Sequence, residues 1–207
     1  DDLVSWRDEG LVLKAREGHP DLDPKMGFER PKVIFNDKTK KFVMWCHADD
    51  DRYEKARVAV ATSVSPTGPF IYRSSFQPDG HDSRDFTLFR DDDGAAWLFH
   101  SSECNKTMDV SRLTDDYLAT TGKCTRVFVE LSREAPVVFK NGGKYFIITS
   151  GCTGWAPNPA EYAVADSPTG PWRVMGNPCR GTADQQATTF RAQAGFSIAL
   201  PGNRGEF

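Results

Sequence analysis

Apolar residues in this chain fall in short runs separated by clusters of Asp, Asn, Gly and Pro, and the runs repeat in a fixed order. Three segments open on a charged residue and continue as a strand: Glu29-Arg30-Pro31-Lys32-Val33-Ile34-Phe35, Arg84-Asp85-Phe86-Thr87-Leu88-Phe89 and Arg133-Glu134-Ala135-Pro136-Val137-Val138-Phe139. Each runs into a turn rich in residues that tolerate hairpin backbone angles: 36–40, 91–94 and Asn141-Gly142-Gly143. A second apolar strand follows every turn, at 41–45, 95–99 and 144–148. Further strands are predicted at 57–63 and 161–165, and no long stretch places apolar residues at helical spacing. Ser65-Pro66-Thr67-Gly68-Pro69-Phe70 recurs from position 167 as Ser167-Pro168-Thr169-Gly170-Pro171-Trp172.

A β unit of about 50 residues with three or four strands, repeated in tandem, reads as the blade of a propeller. Complete blades are expected near 29–82, 83–132 and 133–187. Residues 1–28 read as the tail of an earlier blade and 188–207 as the first strand of a later one. The expectation is therefore an all-β, five-bladed β-propeller truncated at both ends, with 1–207 forming one partial domain. A closed ring has no open edges, which is why material is expected to be missing at both ends.

Charge and composition narrow the function. The 207 residues carry 26 Lys+Arg against 29 Asp+Glu, a net −3, which argues against a nucleic acid partner. At 39% hydrophobic the chain can bury a sizeable core. No apolar run approaches the ~20 residues of a membrane span. The opening Asp1-Asp2-Leu3 is no leader, so either one was removed or the start lies upstream. The five cysteines lack C-x-x-C spacing and none has a His at zinc-ligand distance in sequence. Cys152 and Cys179 lie in turn sequence, where a disulfide and two separate thiols are equally open. The four histidines form no H-x-H or H-E-x-x-H arrangement, so no metal is expected, and Asp49-Asp50-Asp51 and Asp91-Asp92-Asp93 read as solvated turns.

If the first strand of each blade lines a shared channel, Glu29, Asp85 and Glu134 converge. Carboxylates confined together cannot all ionise freely, so at least one is held protonated, as glycosidic bond cleavage requires. The alternative is that each acid pairs with its neighbouring Arg30, Arg84 or Arg133, or caps a turn. Trp45 and Trp97 fall on the strand period and are expected in the core, whereas Trp155 lies in an irregular loop where its ring could stack on a sugar.

The runs at 29–33, 83–89 and 133–136, with Thr149-Ser150-Gly151-Cys152-Thr153-Gly154-Trp155, resemble those of glycoside hydrolase family 43, and more narrowly its exo-β-1,3-galactanase group. The resemblance runs across nearly the whole chain in order. It implies a five-bladed propeller and an inverting exo-acting hydrolase that releases galactose from β-1,3-galactan, the main chain of arabinogalactan. Glu134 then matches the general acid and Asp85 the carboxylate that tunes it. Gln193 matches a residue that orients or activates the water, with Glu29 as the charged alternative or a contact to sugar hydroxyls. Tyr53, Glu103, Asn105, Thr153 and Trp155 are the candidate substrate contacts. Asn105-Lys106-Thr107 is also a glycosylation sequon, although a glycan there would conflict with a channel position. No cofactor is implied; family members sometimes hold a channel calcium, which nothing in this sequence indicates.

An oligo- or polysaccharide substrate, a monomer without membrane or nucleic acid partners, and a secreted or periplasmic location complete the expectation. Within the family, an α-L-arabinofuranosidase or β-xylosidase is the alternative, because pocket loops set the sugar. Outside catalysis, the alternative is a carbohydrate-binding propeller.

Overall fold

The computed structural model describes residues 5–199. Among the described residues, twelve strands form three four-stranded antiparallel sheets, each wound in strict chain order. The first holds β1 (Gly27–Asn36), β2 (Lys41–Asp49), β3 (Arg57–Ser63) and β4 (Ile71–Phe76). The second holds β5 (Phe86–Arg90), β6 (Ala96–Ser102), β7 (Thr107–Leu113) and β8 (Thr120–Val127). In the third are β9 (Arg133–Asn141), β10 (Lys144–Gly151), β11 (Glu161–Ala165) and β12 (Arg173–Gly176). The fold is all-β, and the strands expected from the apolar runs appear at their positions. Both Ser-Pro-Thr-Gly-Pro copies form the same turn between a third and a fourth strand, with Gly68 and Gly170 donating to the carbonyls of Ser65 and Ser167.

The sheets stack face to face, which explains why their strands read as nearly continuous apolar runs. One cluster joins Ile34, Val43, Trp45, Val58 and Val60 of the first sheet to Phe86, Leu88 and Leu98 of the second. Another joins Phe99, Met108 and Val110 of the second to Val138, Tyr145 and Ile147 of the third. Trp45 is fully buried, and its Nε1 donates to the Tyr117 carbonyl at 2.9 Å. Trp97 is only partly buried, at the edge of the second cluster. Burial of such side chains stabilises by about 1.5–3 kcal/mol each, so these contacts hold the sheets against one another. The first strands β1, β5 and β9 lie side by side in that order, bringing the openings of the three units together.

The two flanks differ from the expectation. Residues 5–26 form turns with no strand, and Val12 and Leu13 pack on the outer face of the first sheet, where Phe70 N–H donates to the Val12 carbonyl at 2.7 Å. Residues 183–191, near the expected late strand, form a short helix, α1 (Ala183–Thr188), and a 3-10 turn. Thr182 and Gln185 close a reciprocal capping box that starts this helix, a local device that outcompetes extension where no strand is alongside. Residues 192–199 are irregular, and the rest of that expected strand lies outside the described residues.

Candidate active site

Two of the first strands carry the same irregularity at their acid. In β1, Glu29 pairs with His47 and Lys32 with Trp45, so Arg30 and Pro31 oppose a single residue. In β9, Glu134 pairs with Ser150 and Val137 with Ile148, so Ala135 and Pro136 do likewise. Proline has no N–H for the ladder, and within strands it is accommodated at bulges such as these. Arg30 and Ala135 sit at φ 53° and 49°, the left-handed region. The Ala135 N–H, turned out of the ladder, donates to Asp85 Oδ2 at 3.1 Å. Asp85 stands just ahead of β5, where its own carbonyl accepts from Ser101 N–H at 2.8 Å.

Around Glu134 the polar groups close a circuit. Asn105 Nδ2 donates to Glu134 Oε2 at 3.1 Å, and Gln193 Nε2 donates to Oε1 at 3.2 Å. The same Gln193 nitrogen reaches Ser150 Oγ at 2.7 Å, while Gln193 Oε1 accepts from Arg30 Nη2 at 2.5 Å. Arg30 Nη2 also donates to Asp85 Oδ2 at 2.8 Å, in an ion pair whose side chains are 26% and 14% exposed. Burial and the negative charge of Asp85 hold the Glu134 carboxyl above its ordinary range, against the opposing hydrogen bonds and Arg30. Beside it the Cys152 thiol is pushed up to about 11 by burial and by the Glu134 charge, and it donates to the Ser132 carbonyl at 3.2 Å. All five cysteines, Cys152 and Cys179 included, are free thiols.

The arginines do not neutralise the acids beside them. Arg133 turns away to Thr149, with Nε on the hydroxyl at 2.9 Å. Arg84 donates to the Tyr53 carbonyl at 3.1 Å. Only Arg30 meets one of the three acids, and it is the acid of the neighbouring sheet. The pairing of Arg30 with Glu29 that the sequence left open gives way to a longer-range one: from an αL position ahead of Pro31 the guanidinium reaches Asp85 and Gln193, and Ser150 joins the same circuit through Gln193.

Glu29 stands outside this circuit. Its carboxylate, 44% exposed, accepts from Tyr53 Oη at 2.7 Å and lies 3.6 Å from His47 Nδ1, whose Nε2 is 2.9 Å from buried Asp49. The Tyr53 hydroxyl is pushed up by that hydrogen bond and by burial. Trp155 is fully exposed. Thr153 Oγ1 donates to the Ala156 carbonyl at 2.6 Å and accepts from Asn158, shaping the loop that presents Trp155. Glu103 is directed elsewhere: Thr107 and Arg126 occupy its carboxylate at 2.7 and 2.6 Å, and its acidity is increased accordingly. Asn105 has its amide on Glu134 and its Oδ1 buried, which leaves the sequon nitrogen committed to the acid. Among the described residues, the possible metal-ligating group is His81, Asp109 and Cys124 on the second sheet, apart from this circuit.

Residues 1–197 match the family model described as glycosyl hydrolases family 43. A GH43 β-1,3-galactosidase solved with galactodeoxynojirimycin superposes with a TM-score of 0.92 at 38% identity, covering 97% of this chain and 72% of that one. The exo-β-1,3-galactanase of Phanerochaete chrysosporium with galactose gives 0.88 at 37% identity, covering 94% of this chain and 44% of that one. A curated relative, the β-D-galactofuranosidase xynD of Aspergillus niger, is 28% identical over 148 residues, which is 64% of this chain and 42% of that protein. The chain thus spans less than half the length of the last two.

Proposed function

This chain belongs to family 43 of the glycosyl hydrolases, and from that we propose an inverting exo-acting hydrolase that releases galactose from β-1,3-galactan, with Glu134 as its general acid. The observation that carries the reading is the environment of Glu134: half-buried, beside the charge of Asp85, and held by neutral amides at both oxygens. A carboxyl that burial and a neighbouring charge make a weaker acid holds its proton to higher pH than a free one and can give it to the departing glycosidic oxygen as the bond to the sugar lengthens. Asp85 serves by its charge, and Arg30 with the Ala135 amide keeps that charge in place.

Inversion needs a water on the opposite face of the sugar and about 6.5–9.5 Å between acid and base. Gln193 lies 3.2 Å from Glu134, too close for a pyranose between them, so in this arrangement it positions the acid. A neutral amide also cannot take up the water's proton. Glu29, the remaining carboxylate of the three, is the group we assign to receive it, with Tyr53 and His47 holding its orientation.

The substrate assignment is supported by the β-1,3-galactosidase and exo-β-1,3-galactanase relatives at 38% and 37% identity and by the exposed Trp155, a platform for a pyranose face. The same reading makes the three sheets blades of a five-bladed propeller, in a secreted or periplasmic monomer. Galactose release from linear β-1,3-galactan, with Glu134→Gln as control, tests it. Release abolished by the substitution supports it; release only from arabinan, xylan or a galactofuranoside moves the specificity to another sugar.

A further inference from the structure

The connection from β4 to β5 is fastened to one face of the second sheet by three polar contacts in a row. Asp79 Oδ2 accepts from Ser111 Oγ at 2.6 Å, His81 Nδ1 lies 2.6 Å from Asp109 Oδ2, and Asp82 Oδ1 accepts from Ser102 Oγ at 2.7 Å. The middle contact has different surroundings. Cys124 Sγ, on β8, is 3.7 Å from the same His81 nitrogen, and the ligand atoms of His81, Asp109 and Cys124 all lie within 4.8 Å of one another. Asp109 is 1% exposed, and its Oδ1 is buried without a hydrogen-bond partner. Directly across the ladder His100 is fully buried with neither ring nitrogen partnered. Unpaired polar atoms of this kind are rare in folded proteins and point to a missing ion or water.

We propose that His81, Asp109 and Cys124 form a zinc site that pins the β4–β5 connection to the second sheet. Imidazole nitrogen, carboxylate oxygen and thiolate sulfur are the zinc donors, and the sulfur favours zinc over calcium or magnesium. In a tetrahedral site with bonds of about 2.0–2.3 Å, neighbouring donors stand about 3.3–3.8 Å apart. The spacing of 3.7 Å between Cys124 and His81 already fits. The His81–Asp109 pair opens by less than ~1 Å to admit the ion. The His81 side chain is 42% exposed, which leaves an entry path and room for a water as fourth ligand. Binding releases the Cys124 thiol proton to solvent and involves no electron transfer. The ligands are 28 and 43 residues from His81 in sequence, so they meet only through the pairing of β7 with β8. That is why no spacing motif announced them, and it revises the expectation of a chain without a metal site. The consequence is local: Asp85 follows His81 by four residues, so the pin steadies the approach to the tuning carboxylate.

The test is to strip the protein with a chelator, add zinc, and measure the metal retained after gel filtration. One zinc per chain is expected. Cys124→Ser and His81→Ala should each bind more than tenfold more weakly, while Cys152→Ser and Cys104→Ser bind normally. Cobalt(II) reads the sulfur directly, through a near-ultraviolet thiolate charge-transfer band present in the wild type and absent from Cys124→Ser. Zinc should raise the melting temperature of the wild type and not that of either ligand variant; the metal-free Cys124→Ser protein, whose side chain is partly exposed and leaves the His81–Asp109 contact in place, should melt near the wild type. No retained zinc in the folded wild type, or retention unchanged in Cys124→Ser, overturns the proposal.

Discussion

Asp85 Oδ2 accepts the backbone N–H of Ala135 at 3.1 Å, which ties the carboxylate heading the second sheet to the residue that follows Glu134 in the third. The contact fixes the distance over which one acid acts on the other. It exists because Ala135 leaves the ladder ahead of Pro136.

Replacing Asp85 by Asn therefore has a signed effect on pH dependence. The charge of Asp85 raises the Glu134 carboxyl, so its removal lets Glu134 ionise at lower pH and moves the alkaline limb of the rate profile down. Stability follows the same group. Because its folded pKa is raised, its contribution is full below the ordinary value of 4.5 and is lost as pH rises through the folded value. Rate profiles of galactose release and melting temperatures across pH 4–8, roughly the carboxylate-to-histidine range, check both, with Glu134→Gln expected to lose this component.

Gln193 is predicted to work through the acid. Gln193→Ala removes the donor to Glu134 Oε1 and the bridge to Arg30, and should lower kcat by about 100-fold with KM little changed. Gln193→Glu puts a second carboxylate at the same place and should move the alkaline limb upward, as like charge disfavours ionisation of Glu134. Steady-state kinetics across pH separate the two.

If Glu29 receives the water's proton, Glu29→Gln lowers kcat by about 100- to 10,000-fold and removes the acidic limb of the profile. A contact to sugar hydroxyls alone would instead raise KM and leave that limb in place.

The two tryptophans should separate binding from folding. Trp155→Ala deletes a solvent-exposed ring and should raise KM by roughly fivefold, about 1 kcal/mol, without changing the melting temperature. Trp45→Ala empties a fully buried position between two sheets and should cost about 3–5 kcal/mol in denaturant unfolding.

Much of this was readable from residue order. The Glu-Arg-Pro and Glu-Ala-Pro openings, the hairpin turns and the repeated Ser-Pro-Thr-Gly-Pro segment placed the strands and the acids, because turn chemistry and strand period are local. What escaped was long-range. Arg30 crosses to Asp85 on the next sheet, and Glu103 turns outward to Arg126; neither is set by sequence neighbours. The helix at Ala183 was missed because its capping box lies in a polar segment without apolar periodicity.

The claim that Glu134 protonates the leaving oxygen is tested most directly by comparing wild type and Glu134→Gln on two substrates. Linear β-1,3-galactan has a leaving group that needs a proton; a dinitrophenyl β-galactoside has one that departs without it. The account predicts a loss of about 100- to 10,000-fold on galactan and a far smaller loss on the aryl galactoside. Equal losses on both, or no loss on galactan, would contradict it.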